Sequence, residues 1–198
     1  MLPGIVLAAG ASVRMGSPKA LLPAGGGDSF VSRIVRTLRE AGVSDLAVVT
    51  GKDHDAVVDA LRGSGLSMPL VVRNPEPSRG QLSSLWAGMD AVVGTTTQGV
   101  LVMLVDVPMV AASTVKEVIA VWRRTRAPIV RPAMGDRHGH PVIFDRALLD
   151  ELRAAPLDAG AKSVVRAHEH EILNVAVDDE GCLADVDTPE DYRTLRGE

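Results

Sequence analysis

Residues 4–19, GIVLAAGASVRMGSPK, contain the most informative pattern in the chain. The segment begins with the apolar run 5–8, which is typical of a strand buried on both faces. A loop interrupted by glycine follows, and this loop carries Arg14 and Lys19 but no acidic residue. Because Gly10 has no Cβ, the backbone there can turn its N–H groups inward, and successive inward amides form an anion site. The pattern predicts a strand followed by a phosphate-binding loop; the alternative is a strand followed by an ordinary surface turn.

The spacing of the loop excludes two common phosphate-binding motifs. The dinucleotide fingerprint G-x-G-x-x-G, counted from Gly10, would require glycine at the positions of Ser12 and Met15. The Walker A motif needs four residues between its glycines and then Lys-Ser or Lys-Thr. Here five residues separate Gly10 from Gly16, and Ser-Pro-Lys follows. The loop therefore belongs to a different class of phosphate site.

Length and composition limit the classes of protein that the chain can belong to. Its 198 residues are enough for one domain that buries roughly 70% of its unfolded surface, so we expect a single domain over residues 1–198. The net charge of −4 argues against a nucleic-acid partner, which normally requires a basic surface. The first apolar run is too short to cross a bilayer, so no membrane partner is expected. Cys182 is the single cysteine, which excludes an internal disulfide and favours a cytoplasmic location.

Strand and helix patterns alternate through residues 1–130. Short apolar runs predict strands at 5–8, 46–50, 70–73, 100–105, 129–131 and 142–144. Amphipathic spacing predicts a first helix that carries apolar residues from Phe30 to Leu38 and is closed by Gly42. Further helices are predicted to begin at Asp53 or Asp55, near Ser83, and at Ser113 or Thr114. This alternation predicts an α/β fold with three α/β/α layers and a mostly parallel, Rossmann-like sheet. Ligands of such sheets bind at the carboxyl ends of the strands.

The pattern changes after residue 130. Residues 131–141 are rich in Gly, Pro, His and charge, and predict a loop or hairpin. Helices are predicted near 145–153 and 159–168, strands near 172–177 and 183–186, and a last helix from Pro189.

Acidic residues follow two of the predicted strands. Asp106 comes directly after the strand 100–105, at the same edge of the sheet as the Gly10 loop. Asp185 and Asp187 share one face of an extended segment, so both could approach one cation. Carboxylates together with substrate phosphates are the ligands that Mg²⁺ prefers, and we therefore predict a Mg²⁺ site. The alternative is that these acids only cap helices.

Several spaced motifs resemble one enzyme group. The pattern L-A-A-G-x-S-x-R-M-G-x-x-K spans residues 7–19, and the segments LVDVPM (104–109) and DVDTPED (185–191) resemble the metal-binding elements P-x-D-x-P and D-x-D/N-T-P-E-D. Leu104 stands where proline is common in that element. The chain is similar to the molybdenum cofactor cytidylyltransferase and guanylyltransferase group of nucleotidyltransferases. The Ala-Ala-Gly form of the opening and the Gly139-His140-Pro141 segment favour the cytidylyl branch.

The resemblance implies a role for each matching position. Arg14, Lys19 and Asp106 would be catalytic, and Asp106, Asp187 and Asp185 would bind the metal, Asp187 being preferred to Asp185. His140 and Pro141 would contact the acceptor, although the His138-x-His140 spacing leaves a transition-metal pair open. The expected nucleotide-binding residues are Leu7, Ala8, Ala9, Gly10, Ser12, Arg14, Gly16, Lys19, Arg73, Gly80, Ser83 and Ser84.

The implied reaction is transfer of a nucleoside monophosphate. CMP would pass from CTP to a phosphorylated small-molecule acceptor, molybdopterin being the expected one, and pyrophosphate would leave. A protein partner could then receive the finished cofactor. Two alternatives remain open from the sequence: guanylyl or other nucleotidyl transfer to a different small phosphorylated acceptor, and a nicotinamide-dependent oxidoreductase built on the same fold.

Overall fold

The computed structural model describes residues 1–197, and it describes all of their side chains except that of Val13. The strands are β1 (Gly4–Ala8), β2 (Pro23–Gly25), β3 (Asp28–Ser29), β4 (Leu46–Thr50), β5 (Leu70–Arg73), β6 (Gly99–Leu104), β7 (Ile129–Met134), β8 (Arg137–His138), β9 (Val142–Asp145) and β10 (Ile172–Ala176). The helices are α1 (Phe30–Glu40), α2 (His54–Gly63), α3 (Gln81–Val92), α4 (Ala112–Thr125), α5 (Leu149–Ala154), α6 (Lys162–Ala167) and α7 (Pro189–Arg196).

One mostly parallel sheet organises these elements. Its strand order is β10-β7-β9-β6-β1-β4-β5, and β8 pairs with β7. β1 runs parallel to both β4 and β6, with Gly4 opposite Leu46 and Leu101. β9 is antiparallel to its two neighbours, and β2 and β3 form a separate hairpin. The predicted α/β fold with a mainly parallel sheet is confirmed.

Alternating residues of the central strands face two separate cores. Val6 packs in one cluster, whereas Ile5 and Leu7 pack in the other. The first cluster is covered by α1, α2 and α4, and the second by α3, α5 and α6. Because both faces of the sheet are covered, its strands are continuous apolar runs rather than alternating ones. This is the predicted three-layer arrangement.

Several element boundaries differ from the sequence prediction. Helix α3 begins at Gln81 rather than near Ser83, and Ser83 Oγ donates instead to Gly80 O at 2.7 Å. Helix α4 begins at Ala112, because Thr114 Oγ1 donates to a distant carboxylate and does not cap its own helix. The strand predicted at 183–186 is not formed. That segment makes a single backbone hydrogen bond to the loop after β6 and does not join a ladder, since Val186 N donates to Asp106 O at 2.8 Å.

Two side-chain networks fix elements on the outside of the sheet. His168 follows α6, and its ring nitrogens lie 2.8 Å from Glu151 and 2.7 Å from Glu171. These hydrogen bonds raise the pKa of His168 above its usual value. Asp28 is buried and accepts two hydrogen bonds from the Arg36 guanidinium, at 2.9 and 3.0 Å, and this pairing lowers the pKa of the Asp28 carboxyl.

Within the part of the chain that the structure describes, no helix combines the length and apolar character needed to cross a bilayer. The carboxyl ends of β1, β4 and β6 meet at one edge of the sheet, as expected for parallel neighbours. The loops that leave these strands form the site described next.

Candidate active site

The loop after β1 holds Lys19 against the sheet edge. Ser12 adopts a left-handed backbone conformation with φ of 50°, and its Oγ accepts from the backbone N–H of Lys19 at 3.1 Å. Its carbonyl accepts from Met15 N at 3.1 Å. A Cβ added to Gly10 would have no atom within 4 Å, so the backbone of the loop is open to a ligand at this position. Free space at Gly10 is compatible with the predicted phosphate-binding loop, which stays a prediction.

The Lys19 ammonium lies between two carboxylates that are distant in sequence. Its Nζ is 3.4 Å from Asp106 Oδ2 and 2.5 Å from Asp187 Oδ1. Arg14 reaches the other oxygen of Asp187 at 2.8 Å. The Lys19 side chain is 12% exposed and that of Asp106 is 25% exposed, whereas Arg14 is 68% exposed. The sequence placed these acids beside the basic loop, and the structure brings them into direct contact with it.

The pKa values of the two acids of the C-terminal motif, Asp185 and Asp187, are shifted in opposite directions. The hydrogen bond from Lys19 is the main cause that lowers the pKa of Asp187, and the charge of Arg14 adds to it. Asp185 behaves in the opposite way, because loss of hydration and the charges of Asp106 and Asp187 raise the pKa of its carboxyl. Asp187 lines the cavity that contains Lys19, whereas Asp185 lines a neighbouring cavity.

A tertiary contact fixes the loop that carries Asp106. Asp179 accepts from the backbone N–H of Ala111 at 2.9 Å and from Thr114 Oγ1 at 2.6 Å, at the beginning of α4. It also accepts from the N–H of Gly181 at 3.0 Å. A Cβ at Gly181 would lie 2.2 Å from the carbonyl oxygen of Met109, so only glycine allows this close approach. The segment bearing Asp187 is thereby held against the loop bearing Asp106.

The first cavity has a volume of about 340 Å³ and lies between the Gly10 loop, α2 and the beginning of α3. Nine of the twelve predicted nucleotide-binding residues line it, namely Leu7, Ala8, Ala9, Gly10, Ser12, Arg14, Lys19, Gly80 and Ser84. Asp106 and Asp187 line it as well. Gly16, Arg73 and Ser83 are not among its lining residues. Arg73 ends the edge strand β5 and is exposed.

A buried amide explains the position of Ser83. Asn74 is 4% exposed, and its Nδ2 donates to Ser83 Oγ at 2.9 Å and to Ser84 Oγ at 3.0 Å. Its Oδ1 accepts from the backbone N–H of Glu76 at 2.9 Å. Asn74 therefore connects the end of β5 to the beginning of α3. Both serines are buried, and Ser84 lines the first cavity whereas Ser83 does not.

A second cavity of about 980 Å³ adjoins the first. Leu7, Gln81 and Leu104 line both cavities and form the boundary between them. His140 lines the second cavity, whereas Pro141 is buried and is not among its lining residues. Their contact with an acceptor stays a prediction.

Burial favours the neutral form of both histidines of the H-x-H pattern. Burial lowers the pKa of His140, whose Nδ1 lies 3.5 Å from the carbonyl oxygen of Val102. Burial and the charge of Arg131 lower the pKa of His138. Neither ring belongs to a cluster of three or more metal-binding side chains within residues 1–197.

The acidic pair fits a divalent cation that substrate phosphates help to hold. Asp106 Oδ1 is buried and has no hydrogen-bond partner, although a buried carboxylate oxygen is normally satisfied. Among the described residues, no three carboxylate, imidazole or thiolate groups form a complete protein site. Mg²⁺ is usually bound by one or two carboxylates plus substrate phosphates. The available set, Asp106 with Asp187 nearby, matches that pattern.

The sequence interpretation missed cavity residues that lie outside the recognised motifs. Asp53 and Val57 of the α2 region and Pro77 and Gln81 near α3 line the first cavity. Asp53 is predicted only as a possible beginning of a helix, and its side chain makes no capping hydrogen bond. That unused carboxylate after β4, another parallel strand ending at the same edge, was the available signal.

The chain matches one protein family and several known proteins. Residues 4–172 match the model of the MobA-like NTP transferase domain. The nicotine blue oxidoreductase of Paenarthrobacter nicotinovorans is 33% identical, over 97% of this chain and 95% of that protein. The molybdenum cofactor cytidylyltransferase of Escherichia coli K12 is 24% identical, over 97% of this chain and 94% of that protein.

Among solved structures, Rv0371c from Mycobacterium tuberculosis H37Rv superposes with a TM-score of 0.81 at 33% identity, covering 100% of this chain and 98% of that one. Its complex with manganese superposes with a TM-score of 0.78 at 32% identity, covering 98% and 97%. Because the family match covers most of the chain and includes the Gly10 loop and Asp106, this protein is a nucleotidyltransferase that belongs to the MobA-like NTP transferase family.

Proposed function

We propose that the protein transfers CMP from CTP to a phosphorylated acceptor, molybdopterin, in a Mg²⁺-dependent reaction that releases pyrophosphate. The observation that carries this proposal is the contact of one ammonium, Lys19, with two separated acids, Asp106 and Asp187, at the wall of the cavity formed by the Gly10 loop. A cation-binding acid pair beside a basic phosphate loop is what pyrophosphate release requires. A nicotinamide site needs no such pair.

The chain supplies positioning and charge rather than a nucleophile. The loop around Gly10, with Arg14 and Lys19, would hold the β- and γ-phosphates of the nucleotide. Lys19, which lies beside Asp106, would stabilise the negative charge that develops on the α-phosphoryl oxygens and on the leaving group. Mg²⁺ held by Asp106 and Asp187 would withdraw negative charge from the phosphates when bound.

The acceptor would attack from the second cavity. One of its phosphate oxygens forms the new bond to the α-phosphorus while the bond to the pyrophosphate oxygen breaks in line. A phosphate is already ionised at neutral pH, so no general base is needed. Loss of hydration lowers the pKa of His140, and its ring lines the second cavity, where it would contact the acceptor as a hydrogen-bonding group.

Two observations support cytidylyl transfer in particular. The Ala8-Ala9-Gly10 opening and the Gly139-His140-Pro141 segment follow the cytidylyl pattern. The E. coli molybdenum cofactor cytidylyltransferase aligns over 97% of the chain. We further propose that residues 1–198 act as one domain in the cytoplasm and deliver the product to a protein that uses the cofactor.

Pyrophosphate release tests this function directly. The protein with Mg²⁺ is mixed with CTP, GTP, ATP or UTP, each with molybdopterin or with glucose 1-phosphate. The proposal expects release with CTP and molybdopterin. Release with GTP would show that GTP rather than CTP is the nucleotide donor. Release with glucose 1-phosphate would show that the acceptor is a sugar phosphate rather than molybdopterin. No release in any combination would reject nucleotidyl transfer. D106N should lose activity, and D136N, at an exposed turn, is the matched control.

A second candidate function has one specific observation in its favour. The relative named nicotine blue oxidoreductase is 33% identical over 97% of this chain, a higher identity than that of the cytidylyltransferase. A thermal-shift comparison separates the two candidates. CTP should stabilise the protein only with Mg²⁺, whereas stabilisation by NADH or NADPH without Mg²⁺ would favour the oxidoreductase.

A further inference from the structure

Arg131 lies half-buried in the wall of the second cavity without an ionic partner. It is on β7, two residues after Ile129, so its side chain is on the face of the sheet that α5 and α6 cover. Its Nε donates to Asn174 Oδ1 at 2.8 Å. Within residues 1–197, no carboxylate lies at ion-pair distance from it.

Within the described residues, the hydrogen-bonding capacity of the Arg131 guanidinium is only partly used. Its five N–H groups require acceptors, and Asn174 occupies one of them with a neutral oxygen. Loss of hydration lowers the pKa of Arg131, an effect that the charge of Glu169 only partly opposes. Burial and the charge of Arg131 lower the pKa of the neighbouring His138. A charge withdrawn from water is normally paired, so an anion that enters the cavity would complete the site.

Two further cations line the same cavity. Lys162 and Arg166 are four residues apart on α6, and therefore on one face of that helix. Among the ion pairs of the described chain, neither residue takes part. The acids of this cavity are Asp158, Glu169 and Asp185. The cations are thus available to a ligand, but the cavity as a whole is not strongly basic.

The strand register places Arg131 away from the reacting groups. Val102 on β6 pairs with Val142 on β9, and the next strand is β7. Since neighbouring strands are about 4.8 Å apart, Arg131 lies about 10 Å across the sheet from Val102. Leu104, two residues after Val102, borders the first cavity. Val102 and Val142 lie between Arg131 and Leu104 in this register, and both line the second cavity.

We infer that Arg131, together with Lys162 and Arg166, forms a second anion subsite in the cavity assigned to the acceptor, where it binds a non-reacting anionic group. A ligand that spans this cavity would carry a phosphate at the boundary of the first cavity and a carboxylate or a second phosphate at the far end. The description of the ligand as an acceptor rests on the proposed function; the subsite itself does not.

Calorimetric titration with synthetic aryl phosphates tests the subsite without nucleotide or turnover. The probes are biphenyl-4-yl phosphate and 4′-carboxybiphenyl-4-yl phosphate, which differ only by a carboxylate at the far end. Phenyl phosphate and 4-carboxyphenyl phosphate form the same pair shortened by one ring. In the long pair, a charge-assisted contact between the carboxylate and Arg131 should raise the affinity about tenfold over that of the probe without the carboxylate. The carboxylate of the short pair should add little, because it cannot reach.

Variants assign the effect to the proposed residues. R131Q should abolish the tenfold advantage, and R131K should retain part of it. K162Q/R166Q changes exposed residues and therefore tests the subsite even if R131Q folds poorly; it should reduce the advantage. R123Q removes an exposed arginine of α4, on the opposite face of the sheet, and should leave the advantage intact.

Two results would overturn the inference: a long carboxylate that adds nothing to binding by the unmodified protein, or an advantage that survives in both R131Q and K162Q/R166Q. Failure of the proposed function would look different. In that case pyrophosphate would not be released from any nucleotide, while the carboxylate advantage and its dependence on Arg131 would still be measured.

Discussion

Replacement of Lys19 by methionine should strengthen binding of a divalent cation while it weakens catalysis. In the structure the Lys19 ammonium already neutralises Asp106 and Asp187. A divalent ion that uses these acids must either displace the ammonium or sit beside it. Both arrangements cost energy that K19M removes, so the variant should bind the ion more tightly even though it has lost a catalytic charge.

The magnitude follows from the two distances. In a water-like dielectric, the attraction is about 1 kcal/mol at the 3.4 Å contact with Asp106 and between about 1 and 2 kcal/mol at the 2.5 Å contact with Asp187. The water-like dielectric constant applies because the Asp187 side chain is 40% exposed. Removal of one such interaction corresponds to roughly tenfold in affinity. Loss of the positive charge at the reacting phosphates should lower kcat by about 100-fold or more.

Titration of Mn²⁺ followed by electron paramagnetic resonance measures the affinity, and pyrophosphate release measures turnover. K116M removes an exposed lysine of α4 and should change neither quantity. An unchanged or weaker affinity for Mn²⁺ in K19M would refute the reasoning, because it would mean that Lys19 does not compete with the ion. Normal turnover in K19M would refute the catalytic role.

Three further changes should affect stability, each measured by urea unfolding. D179A removes the acceptor of three hydrogen bonds and should cost about 1–3 kcal/mol, whereas T114V removes one of them and should cost about 1 kcal/mol; equal stability of D179A and the unmodified protein would contradict this. H168Q should destabilise by about 1 kcal/mol at most near pH 6. Because the folded pKa of His168 is raised, its contribution is complete below the unfolded pKa and is lost as pH rises through the folded value; a difference that grows with pH would contradict the ion pairs. D28N should cost about 1–3 kcal/mol at pH 7. Because the folded pKa of Asp28 is lowered, that cost should vanish as pH falls through the folded value, and a pH-independent difference would exclude the pairing with Arg36.

The main strands and helices could be predicted because they depend on local patterns. β4 and β5 occupy the predicted residues, β1 begins one residue earlier than predicted, and β6 is shifted by one residue at both ends. Their apolar runs reflect burial on both faces, a property that each segment records in its own composition. Helix beginnings were less predictable. Ser83 and Thr114 looked like caps, but distant partners, Asn74 and Asp179, take up their hydroxyl groups.

The strand predicted at 183–186 failed for a related reason. A strand requires a neighbour with free backbone groups, and the ladder beyond β10 does not extend to this segment. Val186 instead bonds to the carbonyl of Asp106. An alternating apolar pattern indicates that a segment is partly buried. It does not indicate which edge of a sheet is available to pair with that segment.

The amino-acid pattern alone was sufficient for the layer order and for the basic loop with its acids, because glycine spacing, charge and apolar runs are properties of short segments. The folded arrangement was needed for everything that depends on distance. It joined Lys19 to Asp106 and Asp187, placed Asp185 in the wall of the second cavity, and left Arg131 without an ionic partner among residues 1–197. Such contacts join residues many positions apart, and electrostatic energy depends on their separation in space rather than along the chain.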